Sequence, residues 1–409
     1  MIIAHLADLH LGFRAYHRLV PGEDGGAPRY NARERDVSTA FRAALDRLIE
    51  LRVDLVIVAG DVFHTVRPSN AAIADAFRQF ARLHAALPRA PILIIAGNHD
   101  SPRAVETGSI LTLLQEIPNV TVVDREARVV EYPALDTAVL CLPHNALSGG
   151  ALGELEPAGT AGTQLLAMHA TVRGEEVDRL LGYATEFGGA QIEMSDIRVE
   201  RWDYVALGHY HIATQLAPNM WYAGAIERTS TNVWIETGAK GFVTWDTRKR
   251  LGAFHPLPTR PIFDLPRFSA RAPGTTRYLE PAGIDARIRE RVEAVPGGID
   301  GRIIRLIIDD MPRELFRELD HRRLREYRAR ALHFHLDTRR PPRRALAGHA
   351  PAQPPRPIEE EARTFITEIW EPTAADIDRE RLADLALRYL ATASVGSDEP
   401  LLDVGPPGV

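Results

Sequence analysis

Aspartate, asparagine and histidine recur in five short segments of the chain: Asp8-Leu9-His10, Gly60-Asp61, Gly97-Asn98-His99-Asp100, Met168-His169 and Gly208-His209-Tyr210-His211. Imidazole together with carboxylate suits manganese, iron or zinc, and the oxygens of Asp and Asn tilt the choice toward manganese. One carboxylate carries two oxygens and is able to bridge two cations. Two ions about 3.5 to 4 Å apart polarise a phosphoryl group, acidify a bound water and hold attacking and leaving oxygens in line. Taken singly, each segment reads more simply as a hydrogen-bonded turn or a surface histidine pair. Their order, each behind an apolar run, is what points to a metal centre.

The elements that must position these groups alternate between strand and helix over the first hundred residues. Ile2–Ala7 is an apolar run ending at Asp8, and Val53–Ala59 is a buried strand ending at Gly60-Asp61. Ile92–Ala96 is a third strand, ending at Gly97-Asn98. Between them, Arg33–Leu51 places Val37, Phe41, Ala44, Leu45 and Leu48 on one helical face. Ser69 can cap a second helix that carries Ile73, Phe77, Phe80 and Leu87 inward and is closed by Pro88. This order implies a parallel or mixed sheet covered by helices. In open α/β sheets the strand C-terminal ends converge on one rim, where ligands bind. Glycine before Asp61, Asn98 and His209 lets the backbone turn sharply there.

From about Val120 the chain turns strand-rich, with runs at Val120–Val123, Ala138–Leu142, Gln164–Met168, Tyr204–Leu207, Met220–Ala223, Asn232–Ile235 and Gly241–Trp245. A second sheet packed on the first follows, in one sandwich domain over 1–255. Pro256, Pro258, Pro261 and Pro266 mark a linker over 256–268. A smaller α+β module over 260–340 has helices near Ala282–Ala294 and Glu314–Arg330, and strands near Arg302–Ile308 and Ala331–Asp337. Residues 341–357 are a flexible connection dense in Pro and Arg. Two helices follow, Ile358–Trp370 and Ala374–Ala391, in an element over 358–392, and 393–409 read as a disordered tail.

The 409 residues are 45% hydrophobic and 25% charged, a folded-protein composition. No stretch approaches the ~18 to 20 uninterrupted apolar residues of a membrane span, and the N-terminus has no basic, cleavable secretory pattern. Cys141 is the single cysteine, which excludes an intrachain disulfide and a zinc–thiolate site and fits a reducing cytoplasm. The net charge of −6 advertises no nucleic acid globally, although local patches matter more than totals. Lysine occurs only at Lys240 and Lys249, so arginine carries nearly all positive charge. Genomic base composition explains that bias; phosphate binding, which favours the guanidinium fork, is the other reading.

The five segments, in this order, resemble the calcineurin-like metallophosphoesterase superfamily, whose blocks run D-x-H, G-D, G-N-H-D/E, a lone His and G-H-x-H. Ala7–Gly12 and Gly60-Asp61-Val62-Phe63-His64 resemble its SbcD-type DNA-repair nuclease branch. So do Tyr222–Arg228 with Glu236 and Lys240-Gly241-Phe242, although Ala223 and Ala225 stand where that branch has Pro and Ser. The resemblance implies an α/β fold, a four-layer α/β/β/α sandwich of two mixed sheets, with a smaller capping domain and C-terminal helices. It implies two divalent ions, most simply Mn2+: one held by Asp8, His10, Asp61 and His211, the other by Asp61, Asn98, His169 and His209. It makes His99 the group facing the scissile phosphate, with Asp100 orienting it. His64 would be a phosphate-side helper, with a positioning or structural role as the other reading. Residues 13–32 form a loop longer than the family minimum, bordering the substrate path or neutral, and His144 is structural.

The same resemblance makes DNA the substrate in a cytoplasmic, nucleoid-associated enzyme. An SbcC-type coiled-coil ATPase would dock on the C-terminal helices, and the chain would form a homodimer. Arg322, Arg323, Arg325, Arg328, Arg339 and Arg340 in the capping domain would track phosphates in a salt-dependent way, the alternative being a solvated face offset by Glu314, Glu318, Asp320 and Glu326. A phosphatase or small-molecule phosphodiesterase is the other functional reading.

Overall fold

The structure is a computed structural model that describes residues 1–21, 30–102, 108–148, 153–181, 189–230, 232–236, 238–341, 358–370 and 378–394. It divides into a unit of residues 1–341 and a second of residues 342–409.

Strand Leu55–Ala59 shows why the first unit is layered. Successive side chains of a strand point to opposite faces. Val56 and Val58 pack with Val37, Phe41, Ala44 and Phe80 of the helices Ala32–Leu51 and Asn70–Ala86, while Leu55, Ile57 and Ala59 pack against a second sheet. A strand apolar on both faces needs a cover on each side. Strand Thr163–His169 repeats the pattern: Leu165 and Ala167 join the layer between the sheets, and Leu166 and Met168 pack outward with Val177, Leu181, Ile197 and Trp202. The result is the four-layer α/β/β/α sandwich.

Each sheet has six strands. In the first the order is Leu251–Pro256, Gly241–Asp246, Ile2–Leu6, Leu55–Ala59, Ile92–Ile95, Val120–Val123. The last four run parallel and the first two antiparallel to their neighbours. The second runs Thr214–Ala217, Met220–Tyr222, Tyr204–Gly208, Thr163–His169, Thr137–Leu142, Arg128–Tyr132 and is also mixed. Ser69 caps the second helix as expected, its side chain accepting from the Ala72 N–H at 3.3 Å. Ile73, Phe80 and Leu87 face the core, but Phe77, expected inward, lies on the outer face and is 40% exposed.

Three expectations change. The proline-marked stretch 256–268 is largely strand: Pro256 ends an edge strand, and Ile262–Ser269 is the edge of a three-stranded sheet with Ile303–Asp309 and His333–Thr338. Pro266 falls within the register shift between Leu265 and Phe268, a place where a strand tolerates a missing N–H. The helix expected over 314–330 is two, Arg313–Arg317 and His321–Arg330, because Asp320 caps a new start by accepting from the Arg323 N–H at 3.0 Å. Residues 232–235 form a turn closed by Ile235 N–H to Asn232 O, not a strand.

Residues 260–341 pack directly on the sandwich. Arg260 forms a two-point ion pair with Asp36, and the Tyr16 ring stacks on His333 with centroids 4.0 Å apart. Arg18 donates to Ala329 O at 3.0 Å. The described part of loop 13–32 is therefore fastened to this smaller domain; residues 22–29 lie outside the described residues.

In the second unit, helix Ile358–Thr364 continues into a wider turn at Phe365–Ile369. Helix Arg379–Ser394 lies against it, with Arg363 paired to Glu380 at 2.9 Å and to Asp384. Most of the expected linker and tail, 342–357 and 395–409, lies outside the described residues. No described helix is long and apolar enough to cross a membrane.

Candidate two-metal centre

The segments after the strands keep pairing as they leave the sheet. Asp8 N–H bonds Gly60 O at 3.0 Å and His10 N–H bonds Asp61 O at 3.0 Å, so the first two segments run side by side into the rim. The backbone there is forced. Asp8, His10 and Asp61 have φ of 51°, 48° and 53°, and His209 has 107°. Such angles are costly for residues with a Cβ, and they persist where surroundings over-determine them, often at functional sites. Glycine serves a different purpose from the one expected at two of its three positions. Gly60 does turn, with φ of 93°. Gly97 and Gly208 are needed for close approach, since a Cβ would overlap the Asp61 carboxylate at the first and Ala59 O at the second.

The donor atoms then converge from both sheets. His169 Nδ1 lies 2.8 Å from Ala59 O, an acceptor only, so the proton is on Nδ1. Its Nε2 faces Asp61 Oδ2 at 3.4 Å and Asn98 Oδ1 at 3.0 Å, the position a proton takes in the absence of a metal ion. His209 Nδ1 lies 3.2 Å from the same Asn98 oxygen. On the other side of Asp61, Oδ2 is 3.8 Å from His10 Nε2, which faces His211 Nε2 at 2.9 Å. Asp8 takes the His209 N–H on both oxygens, at 3.1 and 3.2 Å. Asp8, His10 and His211 form one compact set of ligand atoms, and Asp8, Asp61 and His169 another. All seven sequence-predicted ligands meet here.

Buried acceptors facing acceptors are costly unless a cation lies among them. The proton affinities show the same demand. Burial raises the Asp8 carboxyl to about 6. Burial also pushes Asp61 upward, but the charge and hydrogen bond of His169, joined by His10 and His99, outweigh it and hold Asp61 below the ordinary carboxylate range. His169 is raised to about 9: burial opposes its charged form, and Asp61 with Asp8 overcomes that. His10 is driven well below its usual value by burial and by His211 beside it. The donor set therefore fits a pair of divalent ions.

His99 stands at the lip of this cluster, half-buried. Its backbone N–H donates to Asp61 Oδ1 at 2.8 Å, and its Nδ1 bonds His64 O at 2.7 Å. The Asp100 side chain engages the rim backbone. The Asp100 carboxylate is fully buried and accepts from the backbone N–H groups of Val62, Phe63 and Gly97 at 3.0, 2.9 and 3.2 Å. It thus ties two rim turns together, and the group that fixes the His99 ring is the His64 carbonyl. The His64 ring stacks on His99 with centroids 5.3 Å apart, and its Nδ1 is 3.4 Å from His10 Nδ1. The positioning alternative for His64 gains that contact. His144, at the start of the short helix His144–Leu147, donates its backbone N–H to Ala96 O at 3.0 Å.

Glu236 and Lys240 carry the family resemblance in the sequence, but no role for them is evident there. Both are buried, and they form a close ion pair beneath His211. Glu236 Oε1 lies 3.4 Å from His211 Nδ1 and also accepts from Thr229 and Ser230 N–H. Lys240 Nζ donates to His211 O at 2.6 Å. A ligating imidazole whose other nitrogen is held by a carboxylate has its tautomer and orientation fixed. The E-x-x-x-K spacing between two runs read as strands, Asn232–Ile235 and Gly241–Trp245, was the available signal.

The arginines are more dispersed. Arg322 pairs with Glu326 at 3.3 Å, Arg323 lies 3.9 Å from Asp320, and Arg339 pairs with Asp337 at 3.4 Å. Arg325, Arg328 and Arg340 are exposed and have no ion pair among the described residues.

A sandwich of this kind with metal-ligand groups on its rim defines a class, and the comparisons agree. Residues 1–213 match the calcineurin-like phosphoesterase family, and the chain belongs to it. The DNA double-strand break repair protein Mre11 of Thermoplasma acidophilum is 26% identical over 243 residues, 56% of this chain and 57% of that protein. The protein of the same name from Sulfurisphaera tokodaii is 28% identical over 212 residues, 51% and 48% of the two chains. That from Methanocaldococcus jannaschii is 32% identical over 116 residues, 28% of each. The chain thus spans 28% to 57% of the length of these curated relatives. Among solved structures, a dimetal phosphatase from Danio rerio aligns over 60% of this chain and 91% of its own, at 14% identity and a TM-score of 0.31, too slight a likeness to carry an argument.

Proposed function

We propose that this chain is a manganese-dependent DNA nuclease that hydrolyses phosphodiester bonds in DNA end processing and repair. The observation that carries the reading is Asp61 Oδ2, placed 3.8 Å from His10 Nε2 and 3.4 Å from His169 Nε2 in a pocket of converging acceptors. Relatives named as DNA double-strand break repair proteins supply the substrate class.

In this reading Asp8, His10, Asp61 and His211 hold one ion, and Asp61, Asn98, His169 and His209 the other, with Asp61 shared. Such a pair, when bound, supplies positive charge to a phosphoryl oxygen and acidifies water. The protein supplies orientation and a proton. Because His99 Nδ1 is committed to the His64 carbonyl, Nε2 is the atom that exchanges a proton, and its protonated form donates to the leaving oxygen. Glu236 and Lys240 hold His211, and Asp100 holds the turns that carry Asp61 and Asn98.

DNA would reach the rim across residues 260–340, acting as a capping domain. Arg325, Arg328 and Arg340 are the better placed of the six arginines for phosphates, since Arg322, Arg323 and Arg339 face carboxylates. Helices 358–392 would dock an SbcC-type coiled-coil ATPase, and the working enzyme would be a cytoplasmic, nucleoid-associated homodimer. Purified protein with Mn2+ is to be assayed on labelled linear DNA beside a generic phosphatase ester. DNA cleavage supports the nuclease; hydrolysis of the ester with DNA intact selects a phosphatase or small-molecule phosphodiesterase instead.

A further inference from the structure

The centre is built from two halves that share no strand. Asp8, His10, Asp61 and Asn98 follow strands of the first sheet, and His169, His209 and His211 follow strands of the second. The two halves stay in register only if the sheets do not slide. Between them lie Ile3, Leu55, Ile57, Leu165, Ala167, Ala206 and Trp245, whose attraction is large but has no direction. Apolar packing alone specifies how close the sheets come better than how far one is shifted along the other.

His5 lies in this layer. It alternates with Ile3 and Ala7 on the inner face of strand Ile2–Leu6 and its continuation, and it is fully buried. Its Nε2 is 3.1 Å from Leu207 O and its Nδ1 is 2.9 Å from the Tyr204 hydroxyl, both in the opposite sheet. Leu207 O accepts only, so Nε2 carries the proton and Nδ1 accepts from Tyr204. The ring is used on both nitrogens, in one tautomer, across the gap between the sheets. Burial drives its pKa down to about 3, so this neutral arrangement holds at any working pH. Three residues beyond His5 is Asp8; two residues beyond Leu207 is His209. Asp8 itself binds the His209 N–H. His5 is thus a directional pin set one layer behind the point where the two halves meet.

We infer that His5 is a positioning residue that fixes the slide of one sheet against the other, and with it the spacing of the two metal-ligand halves. The inference rests on the two-metal reading and goes beyond it by giving a role to a residue that touches neither ion nor substrate. A leucine at this position fills similar space without either hydrogen bond. A glutamine offers an NH2 donor group and a carbonyl acceptor in their place. Loss of a group bonded directly to a metal ligand typically loosens metal binding about 10- to 100-fold, and His5, one step further back, should reach the lower end of that range.

The test is manganese titration of the full chain by calorimetry, with electron paramagnetic resonance of the loaded protein to detect spin coupling between neighbouring ions. Wild-type protein should bind two ions with a coupled signal. His5→Leu should loosen the weaker ion about 10-fold and diminish the coupled signal, while His5→Gln restores both. Tyr204→Phe removes one partner of the pin with almost no change in shape and should fall between wild type and His5→Leu, which keeps the test decisive if His5→Leu folds poorly. Equal ion affinity and an unchanged coupled signal in His5→Leu and Tyr204→Phe would overturn the inference. So would equal loosening in His5→Leu and His5→Gln, because shape rather than hydrogen bonding would then be at stake. Wild-type protein that binds one ion or none would instead sink the two-metal reading itself.

Discussion

Replacing Lys240 by methionine isolates the support beneath His211. Lys240 and Glu236 are 1% and 4% exposed, and the ammonium also donates to His211 O at 2.6 Å. Breaking a buried ion pair by removing one partner costs about 3 to 5 kcal/mol, because the other charge stays buried. Here Glu236 retains the N–H groups of Thr229 and Ser230, at 3.1 and 2.6 Å, so the lower end, about 3 kcal/mol, is expected. Adding Glu236→Gln removes the stranded charge. The double variant should therefore be more stable than Lys240→Met alone, by about 1 to 2 kcal/mol, a coupling of the size seen for groups in one network. Urea unfolding in the presence of a chelator measures both without any contribution from metal. Titration with Mn2+ should then show the Asp8–His10–His211 side weakened and the His169–His209 side close to wild type. A cost below about 1 kcal/mol, typical of an exposed pair, or a double variant no better than the single, would refute the reasoning.

Three further outcomes are expected. His99→Ala should fold and bind both ions as wild type does while cleavage falls about 10²- to 10⁴-fold, the range of a positioned acid; metal loss in that variant would contradict the role given to His99. Gly60→Ala places a methyl group against the His169 ring at a backbone φ of 93°, so it should destabilise the chain by about 1 to 3 kcal/mol and release the ion held by His169 first, as read by thermal melting and by metal content after dialysis. Removing residues 358–409 should spare manganese-dependent hydrolysis of small esters and abolish co-elution with the proposed SbcC-type ATPase; unchanged co-elution would remove the docking role proposed for those helices.

The candidate ligands were legible because a strand apolar on both faces advertises itself as an unbroken run, and its first polar residue marks the rim. Edge strands were harder. Arg128–Tyr132 and Leu251–Pro256 alternate with polar residues and are paired on one side only, so neither forms an apolar run. For Asp100, adjacency to His99 suggested partnership but gave no hint that the turn sends its carboxylate to three backbone N–H groups that need an acceptor. His5 gave no signal at all: within Ile2–Leu6 it occupies a core position, and its partners lie 199 and 202 residues away. Glu236 and Lys240 were visible as residues, but their target, His211, is across a turn that only the folded chain defines.

The pairing of Asp8 with the His209 amide spans 201 positions, and strand Ile2–Leu6 finds its antiparallel neighbour only at Gly241–Asp246. During synthesis, then, the first sheet emerges with one flank missing and its inner surface bare for the time taken to make more than a hundred further residues. Closing so distant a contact is slow, and an unpaired strand beside an uncovered apolar face invites aggregation. Metal cannot rescue that stage, since three of the seven proposed ligands, His169, His209 and His211, have yet to leave the ribosome. Yield of this protein should therefore respond to translation speed and to chaperones acting on nascent chains more than to manganese in the growth medium.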